Sequence, residues 1–346
     1  MSAAPLRVTR AQAIAFRLRA NDLHRRLPAR SLAHAARFAL QDTIPRAALL
    51  SLHARVRDVG PADWEHPSLL QLWSPRTAVH VIAAADHAVY TLGRHPRDPA
   101  ARHAIASAGE AVRRALGGHT RRHNDVHAMP GGPPAMRLLF RAAIDGTIAI
   151  RWDTRDTVVR EVARPAGDPE ECRLELCRRH VRAFAPTTPA VFAWWAGVGR
   201  DDAAQTWRAL ARELMPTEIE GHRAWALRED EAALRTPAPV EGVRFLPAED
   251  LKLFGQDAAG LFAGPKARGH QPGFDWNHPS ALLVDGEIVG SWGRRGGRVE
   301  VVPWRHLDGR TRRAIEAEGL SFPIDDPKRA VRFVAEPTSP PETAGE

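Results

Sequence analysis

The stretch FALQDTIPRAALLSLHARVR, Phe38–Arg57, places a short polar cluster directly ahead of an apolar helix pattern. The cluster consists of Gln41, Asp42 and Thr43. Proline suits the first turn of a helix because it lacks the N–H that would have no partner there, so Pro45 predicts a helix start. Asp42 or Thr43 would then cap the helix. This junction is the first candidate for chemistry, although an ordinary cap on an ordinary helix explains the same residues.

The helix pattern after Pro45 has one apolar face and one basic face. Its apolar residues recur at helical spacing and are Ala48, Leu49, Leu52 and Val56. Arg46, His53 and Arg57 fall elsewhere on the helix and are expected to face solvent or a polyanion.

The composition favours a folded protein with a polyanionic partner. The chain has 346 residues, of which 44% are hydrophobic and 26% are charged, enough for two to four domains with their own cores. A net charge of +8 and a pI near 10.6 favour nucleic acid, because neutralising phosphates releases counterions. Nearly all the positive charge is arginine, a bias that G+C-rich codons also produce. The places where arginines cluster are therefore more informative than their number.

Neither a membrane anchor nor a metal centre is expected. The first residues, MSAAPLRVTRAQ, lack the apolar core of a signal peptide, and no run approaches the roughly 20 apolar residues of a membrane helix. This predicts a cytoplasmic protein. Cys172 and Cys177 are too few for a disulfide framework or a closed zinc site, and are expected to be buried thiols.

The first hundred residues follow the winged-helix order of helices and then a hairpin. Helices are predicted over Ala11–Leu27, Leu32–Leu40 and the segment after Gln41, followed by a hairpin over Thr77–Leu92. In that module a three-helix bundle places one helix in a DNA groove and a two-stranded wing touches the backbone.

The same order recurs twice further along the chain. The second unit has predicted helices at Asp98–Leu116, across HTRRHNDVH and at Pro133–Ile144, and a hairpin at Gly146–Val162. The third has predicted helices at Glu170–Phe184, Thr188–Trp195 and Asp201–Leu214, and a hairpin at Thr217–Leu227. Short β runs then predict a small antiparallel sheet or barrel, at Val243–Leu246, Ala281–Val284, Ile288–Trp292 and Val299–Val302.

With this layout, the sequence resembles the AlkZ-like winged-helix family of bacterial DNA glycosylases, which remove alkylated bases and unhook interstrand crosslinks. The segments that carry the resemblance, in order, are LQDT…LHARV (Leu40–Val56), WSPRTAVHVI (Trp73–Ile82), D-x-x-x-Y-T-L-G-R (Asp86–Arg94), FAPTTPAVFAWWAGV (Phe184–Val198), FLPAEDLKLFG (Phe245–Gly255) and HPSALLVDGEIVGSW (His278–Trp292). The resemblance implies an α+β fold of three tandem winged-helix modules followed by a C-terminal antiparallel β-barrel enclosing a channel for duplex DNA. The corresponding domains are residues 1–97, 98–168, 169–236 and 237–335, with a loose tail at 336–346.

The resemblance also implies a catalytic motif, Gln-x-Gln or Gln-x-Asp, ahead of the helix described first. Here Gln41 matches the first position, and Thr43 stands where the family has its second glutamine or aspartate. Asp42 occupies the variable middle position. The catalytic candidates are therefore Gln41, Asp42 and Thr43.

The chemistry expected of these side chains follows from the leaving group. An N-alkylated purine already carries positive charge, so cleaving its glycosidic bond requires little acid assistance; what remains is to place a water and stabilise an oxocarbenium-like sugar. The Gln41 carbonyl can do both weakly. Thr43 can orient water but supplies no base, and Asp42 can act as a base only if the backbone turns it towards the substrate.

Other basic residues are candidate DNA contacts. Arg46 lies beside the motif, and Arg137 and Arg141 lie on the third helix of the second unit. Arg294, Arg295 and Arg298 surround the Gly296-Gly297 turn. A solvated turn explains these three arginines equally well. The family resemblance implies that the region of His278 lines the DNA channel. His119, His123 and His127 are spaced for one helix face, but Arg121 and Arg122 would repel a cation, so a phosphate-facing helix fits better than a metal site. Trp73, Trp194 and Trp195 are expected in the core.

Two functions remain open from the sequence. The first is a monofunctional glycosylase that hydrolyses alkylated or crosslinked purines from double-stranded DNA as a monomer, without metal or redox cofactor. The second is a non-catalytic winged-helix DNA-binding protein with a regulatory or protective role. A drug-sequestering or protein-interaction role would require the absence of DNA affinity.

Overall fold

The chain begins with short helices and a small three-stranded sheet. The computed structural model describes residues 4–44, 46–127, 135–152, 156–251 and 280–334. In chain order, the first elements are β1 (Leu6–Val8), α1 (Arg10–Ala20), α2 (Leu32–Ala35), β2 (Leu40–Gln41), α3 (Ala47–Arg55), β3 (Leu69–Trp73), β4 (Val79–Ala83) and α4 (His87–Thr91). Strands β2, β4 and β3 form an antiparallel sheet in that spatial order.

The hairpin predicted over Thr77–Leu92 is wrong, because its second half is helical. Strand β4 covers the first half, but a 3₁₀ turn at Ala84–Asp86 leads into α4. In α4 the Tyr90 ring is fully buried and its hydroxyl donates to the carbonyl of Arg37 at 2.6 Å. The hairpin partner of β4 is instead β3, a strand that precedes it in the chain and that the sequence did not predict.

The second unit follows its predicted order closely. Its elements are α5 (Pro99–Leu116), β5 (Arg121–Arg122), α6 (His123–His127), α7 (Ala135–Asp145), β6 (Ile148–Trp152) and β7 (Thr157–Glu161). The Asp98 carboxylate caps α5 by accepting from Ala101 N at 2.7 Å, and Gly117 ends the helix in a left-handed conformation. The HTRRHNDVH helix is shorter than predicted because Arg121 and Arg122 pair with β7 as a strand.

The third unit shares its core with the N-terminal residues. Its elements are α8 (Pro169–Phe184), α9 (Pro189–Ala196), α10 (Arg200–Ala209), β8 (Leu214–Ile219), β9 (His222–Leu227) and α11 (Glu231–Arg235). The predicted hairpin β8–β9 is confirmed, and β1 adds to it as a parallel strand with Leu6 opposite Thr217. Phe16 of α1 and Leu176 of α8 lie in one apolar cluster. The first twenty residues therefore pack with the third unit.

The C-terminal part contains a mixed five-stranded sheet. Its elements are β10 (Val243–Leu246), β11 (Ala281–Val284), β12 (Glu287–Arg295), β13 (Arg298–Pro303), α12 (Gly309–Leu320) and β14 (Ala330–Phe333), and the spatial order is β10-β11-β12-β13-β14. Strand β14 runs parallel to β13, because α12 carries the chain back across the sheet. Since no pairing within 243–251 and 280–334 joins β10 to β14, the antiparallel barrel predicted from the sequence is not found there. The predicted tail, 336–346, lies outside the described residues.

Helix α3 is buried on every side, so the predicted basic face is wrong for His53, whereas Arg46 just before the helix is half-buried and Arg57 just after it is exposed. All nine of its residues are buried, and its His53 ring bonds the hydroxyl of Ser321 at 3.0 Å. Arg55 donates from both terminal nitrogens to the Asp250 carboxylate at 2.8 Å, and Ser51 donates to the same group at 3.0 Å. With the C-terminal part packed over it, α3 has no free face to place in a DNA groove.

Asp42 fixes the other end of α3. Its carboxylate accepts from Ala48 N at 2.9 Å and from the Gln71 side chain at 2.8 Å, and the residue is 1% exposed. The Gln71 carbonyl in turn accepts from Trp152 N of the second unit at 2.5 Å. Burial raises the pKa of Asp42 to about 7, although both hydrogen bonds and the charge of Arg46 lower it. The helix begins at Ala47, later than predicted, and its N-cap position is Arg46, which makes no capping bond with its side chain. Asp42 nevertheless supplies the predicted capping bond, because its carboxylate accepts from Ala48 N in the first turn.

Three further observations concern the described residues. Cys172 and Cys177 are free and buried, as predicted. Among the described helices, none combines the length and apolar character that crossing a bilayer requires. No group of three or more His, Cys, Asp or Glu side chains placed to hold a metal ion occurs within 4–127, 135–152, 156–251 or 280–334.

We expect Arg55→Met to lower the free energy of unfolding by about 3–5 kcal/mol, because it leaves the buried Asp250 carboxylate without its cation. Urea unfolding of both proteins measures the difference. The matched control is Arg235→Met, which removes an exposed helical ion pair to Glu231 and should cost about 0.3–0.5 kcal/mol. Equal losses from the two substitutions would contradict the burial argument.

We also expect the stability difference between wild-type protein and Asp42→Asn to fall as pH rises from about 4 to about 7. The pKa of Asp42 is about 7 in the folded protein against a normal 3.8, so the folded state holds this proton more tightly. The contribution is full below pH 4 and is lost as pH rises through 7. It amounts to at most about 4 kcal/mol, since one pKa unit is worth about 1.4 kcal/mol.

Urea unfolding of the two proteins between pH 4 and pH 8 measures this difference. Asp308→Asn is the matched control, because Asp308 caps α12 on the surface and its hydrogen bond from Thr311 lowers its pKa. The stability that Asp308 contributes is lost only as pH falls below its normal pKa, so its difference should stay level between pH 4 and pH 7. A level response from Asp42→Asn as well would rule out the buried-proton account.

Candidate active site

Gln41 ends strand β2 at the edge of the first sheet. It lies opposite His80 of β4, and Asp42 N extends the pairing by donating to Val79 O at 2.8 Å. The chain then turns, and Arg46 takes a left-handed conformation, with φ of 66°, before α3 begins. This turn separates the three candidates: Thr43 is exposed, Gln41 is half-buried, and Asp42 is directed into the core.

The Gln41 side chain is held at both ends of its amide. Its carbonyl oxygen accepts from Arg76 Nη2 at 2.8 Å, and its nitrogen donates to Thr43 Oγ1 at 2.6 Å. The structure therefore brings Gln41 and Thr43 together. It places Asp42 elsewhere, as the cap of α3, where both carboxylate oxygens are occupied.

Arg76 was missed in the sequence and is the group that joins the first and third units here. It lies in the loop between β3 and β4, where Arg76 and Thr77 both have positive φ, 49° and 61°. Its Nη1 donates to the carbonyl of Trp195 at 3.3 Å, and its Cζ lies 4.5 Å from the centroid of the Trp194 ring. Two motifs of the family resemblance, WSPR and AWWAG, thus meet at Gln41.

Trp194 corrects one sequence prediction. Its side chain is 52% exposed, whereas Trp73 and Trp195 are buried as predicted. An exposed tryptophan beside a polar site presents an aromatic surface to solvent, and such surfaces stack readily on cations and on nucleobases. No signal in the sequence distinguished it from its neighbour Trp195.

A second arginine lies beneath this loop. Arg94 is buried and donates to Ser74 Oγ at 3.2 Å and to Trp73 O at 3.4 Å. It forms no ion pair with any residue in the described ranges, and its Nε is buried without a partner there. Burial and the nearby charge of Arg76 lower the pKa of Arg94 to about 10. Arg94 remains cationic at neutral pH and adds a buried positive charge near Arg76.

The other basic candidates lie in different surroundings. Arg46 is half-buried, with its guanidinium 3.7 Å from the centroid of the Trp64 ring and a hydrogen bond to Trp152 O at 3.2 Å, so packing accounts for part of its role. Arg137 and Arg141 are exposed on one face of α7, and neither bonds to a residue that the structure describes. Their helix buries Leu139 on its opposite side.

The predicted arginine hairpin exists as β12 and β13. Arg295 lies opposite Arg298 across the Gly296-Gly297 turn, and both are exposed. Arg294 is half-buried, and it donates to the carbonyl of Gly296 at 3.0 Å. Asp326 braces the turn by accepting from Gly297 N at 2.6 Å. His278, the remaining candidate, lies outside the described residues.

Comparison with known proteins identifies the family to which the chain belongs. The model of the family described as DNA glycosylase AlkZ-like matches residues 32–322. The interstrand DNA cross-link repair glycosylase of Streptomyces sahachiroi is 24% identical over 156 residues, which are 44% of this chain and 42% of that protein. The match thus spans less than half of the relative's length.

The solved structure of the Streptomyces sahachiroi DNA glycosylase AlkZ has the same fold. It superposes with a TM-score of 0.72 at 17% sequence identity, covering 96% of this chain and 100% of the other. The mixed α and β architecture described above is therefore that of a known fold. Because the family model spans most of the sequence, including the Gln41 motif, the chain belongs to the DNA glycosylase AlkZ-like family.

Proposed function

We propose that this protein is a monofunctional DNA glycosylase that hydrolyses the N-glycosidic bond of alkylated or crosslinked purines in double-stranded DNA. The observation that supports it best is the Gln41 amide, which is fixed between Arg76 and Thr43 at a surface with an exposed aromatic ring. The chain belongs to the DNA glycosylase AlkZ-like family. Since Gln41 matches the first position of the motif that the resemblance implies, we assign this amide the catalytic role.

The proposed reaction uses the amide to place water. A carbonyl oxygen has two lone pairs, so in the proposed reaction the Gln41 oxygen accepts from a water as well as from Arg76. A water held on this oxygen can attack the sugar carbon as the cationic purine leaves, while the carbonyl dipole stabilises the oxocarbenium-like transition state. The proposal includes no metal or redox cofactor, since the leaving group already carries the charge that the reaction needs.

Thr43 takes part as the neighbour of Gln41. Its hydroxyl oxygen accepts from the amide, which leaves its proton available for a water or a sugar oxygen. Asp42 has no direct role in the proposed step, because its carboxylate is buried in the cap of α3.

The proposal includes three winged-helix modules at 1–97, 98–168 and 169–236, with residues 237–335 closing a channel around the duplex and the protein acting as a monomer. Exposed arginines would hold the phosphates, namely Arg137, Arg141, Arg295 and Arg298. The half-buried Arg46 and Arg294 are further candidate contacts, and so is His278 on the family resemblance. Helix α7 is better placed than α3 to approach DNA, because one face of α7 is exposed and basic whereas α3 is covered.

A second candidate is DNA binding without catalysis. The observation that favours it is the absence of a base at the motif, since Thr43 cannot accept a proton from water and Asp42 is turned inward. This alternative leaves the duplex-binding surface in place and assigns Gln41 no chemical role.

We expect wild-type protein to release free base from a duplex carrying N7-methylguanine, and Gln41→Ala to lower the single-turnover rate constant by about 100-fold or more, as for other groups that position water. The released base is measured by chromatography. Gln205→Ala, which makes the same change at an exposed site on α10, is the control and should retain the wild-type rate. Absence of release from every alkylated or crosslinked duplex, with retained salt-sensitive binding, would favour the non-catalytic alternative.

We expect Arg137→Gln and Arg141→Gln each to reduce by about 1 the slope of log binding constant against log salt concentration, because each removes one phosphate contact. Fluorescence anisotropy of a labelled duplex at several salt concentrations measures the slope. Arg235→Gln serves as the control, since Arg235 is already paired with Glu231. Slopes that match wild type in both α7 variants would remove this helix from the proposed interface.

A further inference from the structure

We infer that Arg76 is a positioning residue, which fixes the direction of the Gln41 amide and is itself held in place by the C-terminal end of α9 from the third unit. This inference rests on the proposed function, because it concerns how the same amide is aimed. It adds a residue that the motif does not contain.

The side-chain amide of Gln41 can be oriented in two ways. The two ends of the Gln41 amide have nearly the same shape, but one is an acceptor and the other is a double donor. Arg76 donates to the oxygen at 2.8 Å, and a guanidinium has only donors to offer. Rotating the amide by 180° would place its NH₂ group against those donors. The carbonyl of Gln41 is therefore kept on the Arg76 side.

Thr43 by itself does not determine the orientation of the Gln41 amide. A hydroxyl both donates and accepts, so Thr43 can bond either end of the Gln41 amide by rotating its proton. Of the two hydrogen-bond partners of Gln41 described above, Arg76 is therefore the one that distinguishes the two directions.

The C-terminal end of α9 holds Arg76 in place. Its guanidinium lies over the Trp194 ring at 4.5 Å and donates to the carbonyl of Trp195 at 3.3 Å, in the last turn of α9, where carbonyls lack helical partners. Gly197, with φ of 67°, follows the helix, and a Cβ there would lie 3.0 Å from Arg76 Cα. The end of α9 thus fits closely against the loop.

A different role for Arg76 would be to bind a DNA phosphate directly. The two roles differ in what a mutation changes. A phosphate contact contributes to duplex affinity independently of Gln41, whereas a positioning residue affects the rate of the bound complex and has no effect once Gln41 has been removed.

The test is a double-mutant cycle with Gln41→Ala and Arg76→Met, measured by single-turnover base release from an N7-methylguanine duplex at saturating protein. We expect Arg76→Met to lower the rate constant by about 10- to 100-fold, since small misplacements of a reacting group have effects of this size. Duplex affinity should stay within about threefold of wild type. The double variant should be no slower than Gln41→Ala, whose rate is compared with release in the absence of protein.

Arg76→Lys separates charge from direction, because lysine keeps the charge but cannot reach both Gln41 and the Trp195 carbonyl with one planar group. We expect Arg76→Lys to have the duplex affinity of wild type and to regain only part of the rate that Arg76→Met loses. Rate losses that multiply in the double variant would overturn the inference. So would a loss confined to affinity that lysine restores.

A measurement that does not depend on catalysis separates the inference from the proposed function. The chain contains six glutamines, so protein labelled with ¹⁵N-glutamine gives few side-chain amide resonances, and Gln41→Ala identifies the Gln41 pair. In Arg76→Met this pair should move towards the positions of solvated amides, while the Gln205 pair stays in place. Gln41 resonances that do not move overturn the positioning inference, whereas wild-type protein that releases no base overturns the proposed function.

Discussion

The enclosure of helix α3 is the constraint on which the rest of the molecule depends. Two carboxylates hold it, Asp42 at its first turn and Asp250 near its last, and both are buried. A buried carboxylate is tolerated only where hydrogen-bond donors satisfy it. Asp42 and Asp250 therefore hold their donor groups in place, and those donors hold the two carboxylates. The helix is consequently a rigid support for the turn that carries Gln41 and Thr43. A site supported in this way holds a side chain in one geometry better than a groove-reading helix would.

The units that repeat in the sequence are joined by contacts between them. Strand β1 and helix α1 pack with the third unit, and Gln71 of the first sheet bonds Trp152 of the second. Gln41 lies at a contact between the first and third units. Arg76, in the loop between β3 and β4, donates to Gln41 and also contacts Trp194 and Trp195 of α9. Coupling between units through packed contacts limits their relative motion. The site is therefore a property of the assembled chain and not of its first 97 residues.

Local chemistry made much of the fold predictable, and distance along the chain explains most of what was missed. Helices α5 and α9 follow from Asp98 with Pro99 and from Thr188 with Pro189, because caps and N-terminal prolines act within a few residues. The pairing of β1 with β8 joins residues more than 200 positions apart, and no local pattern encodes it. The hairpin at Thr77–Leu92 failed for a related reason, since burial of Tyr90 decided the state of that segment.

The candidate site was predictable in part for the same physical reason. Gln41 and Thr43 were identified by their place in a motif, but the inward turn of Asp42 depends on Ala48 N and Gln71, which define where its carboxylate is satisfied. Arg76 lies 119 residues from the carbonyl that holds it, so its role becomes visible only in three dimensions. Trp194 and Trp195 are adjacent and chemically identical, and only the direction of α9 decides that one is exposed.

Threonine at position 43 bears on the substrate as well as on the site. A carboxylate at the second motif position would stabilise a positively charged sugar and could accept a proton from water, and a hydroxyl does neither. The neighbouring cations Arg76 and Arg94 make a developing positive charge still less favourable at this surface. On the proposed chemistry, the departing base must then supply more of the driving force. The proposed reaction therefore applies to purines that alkylation has already made cationic, because such bases leave as neutral molecules, and it does not extend to undamaged purines.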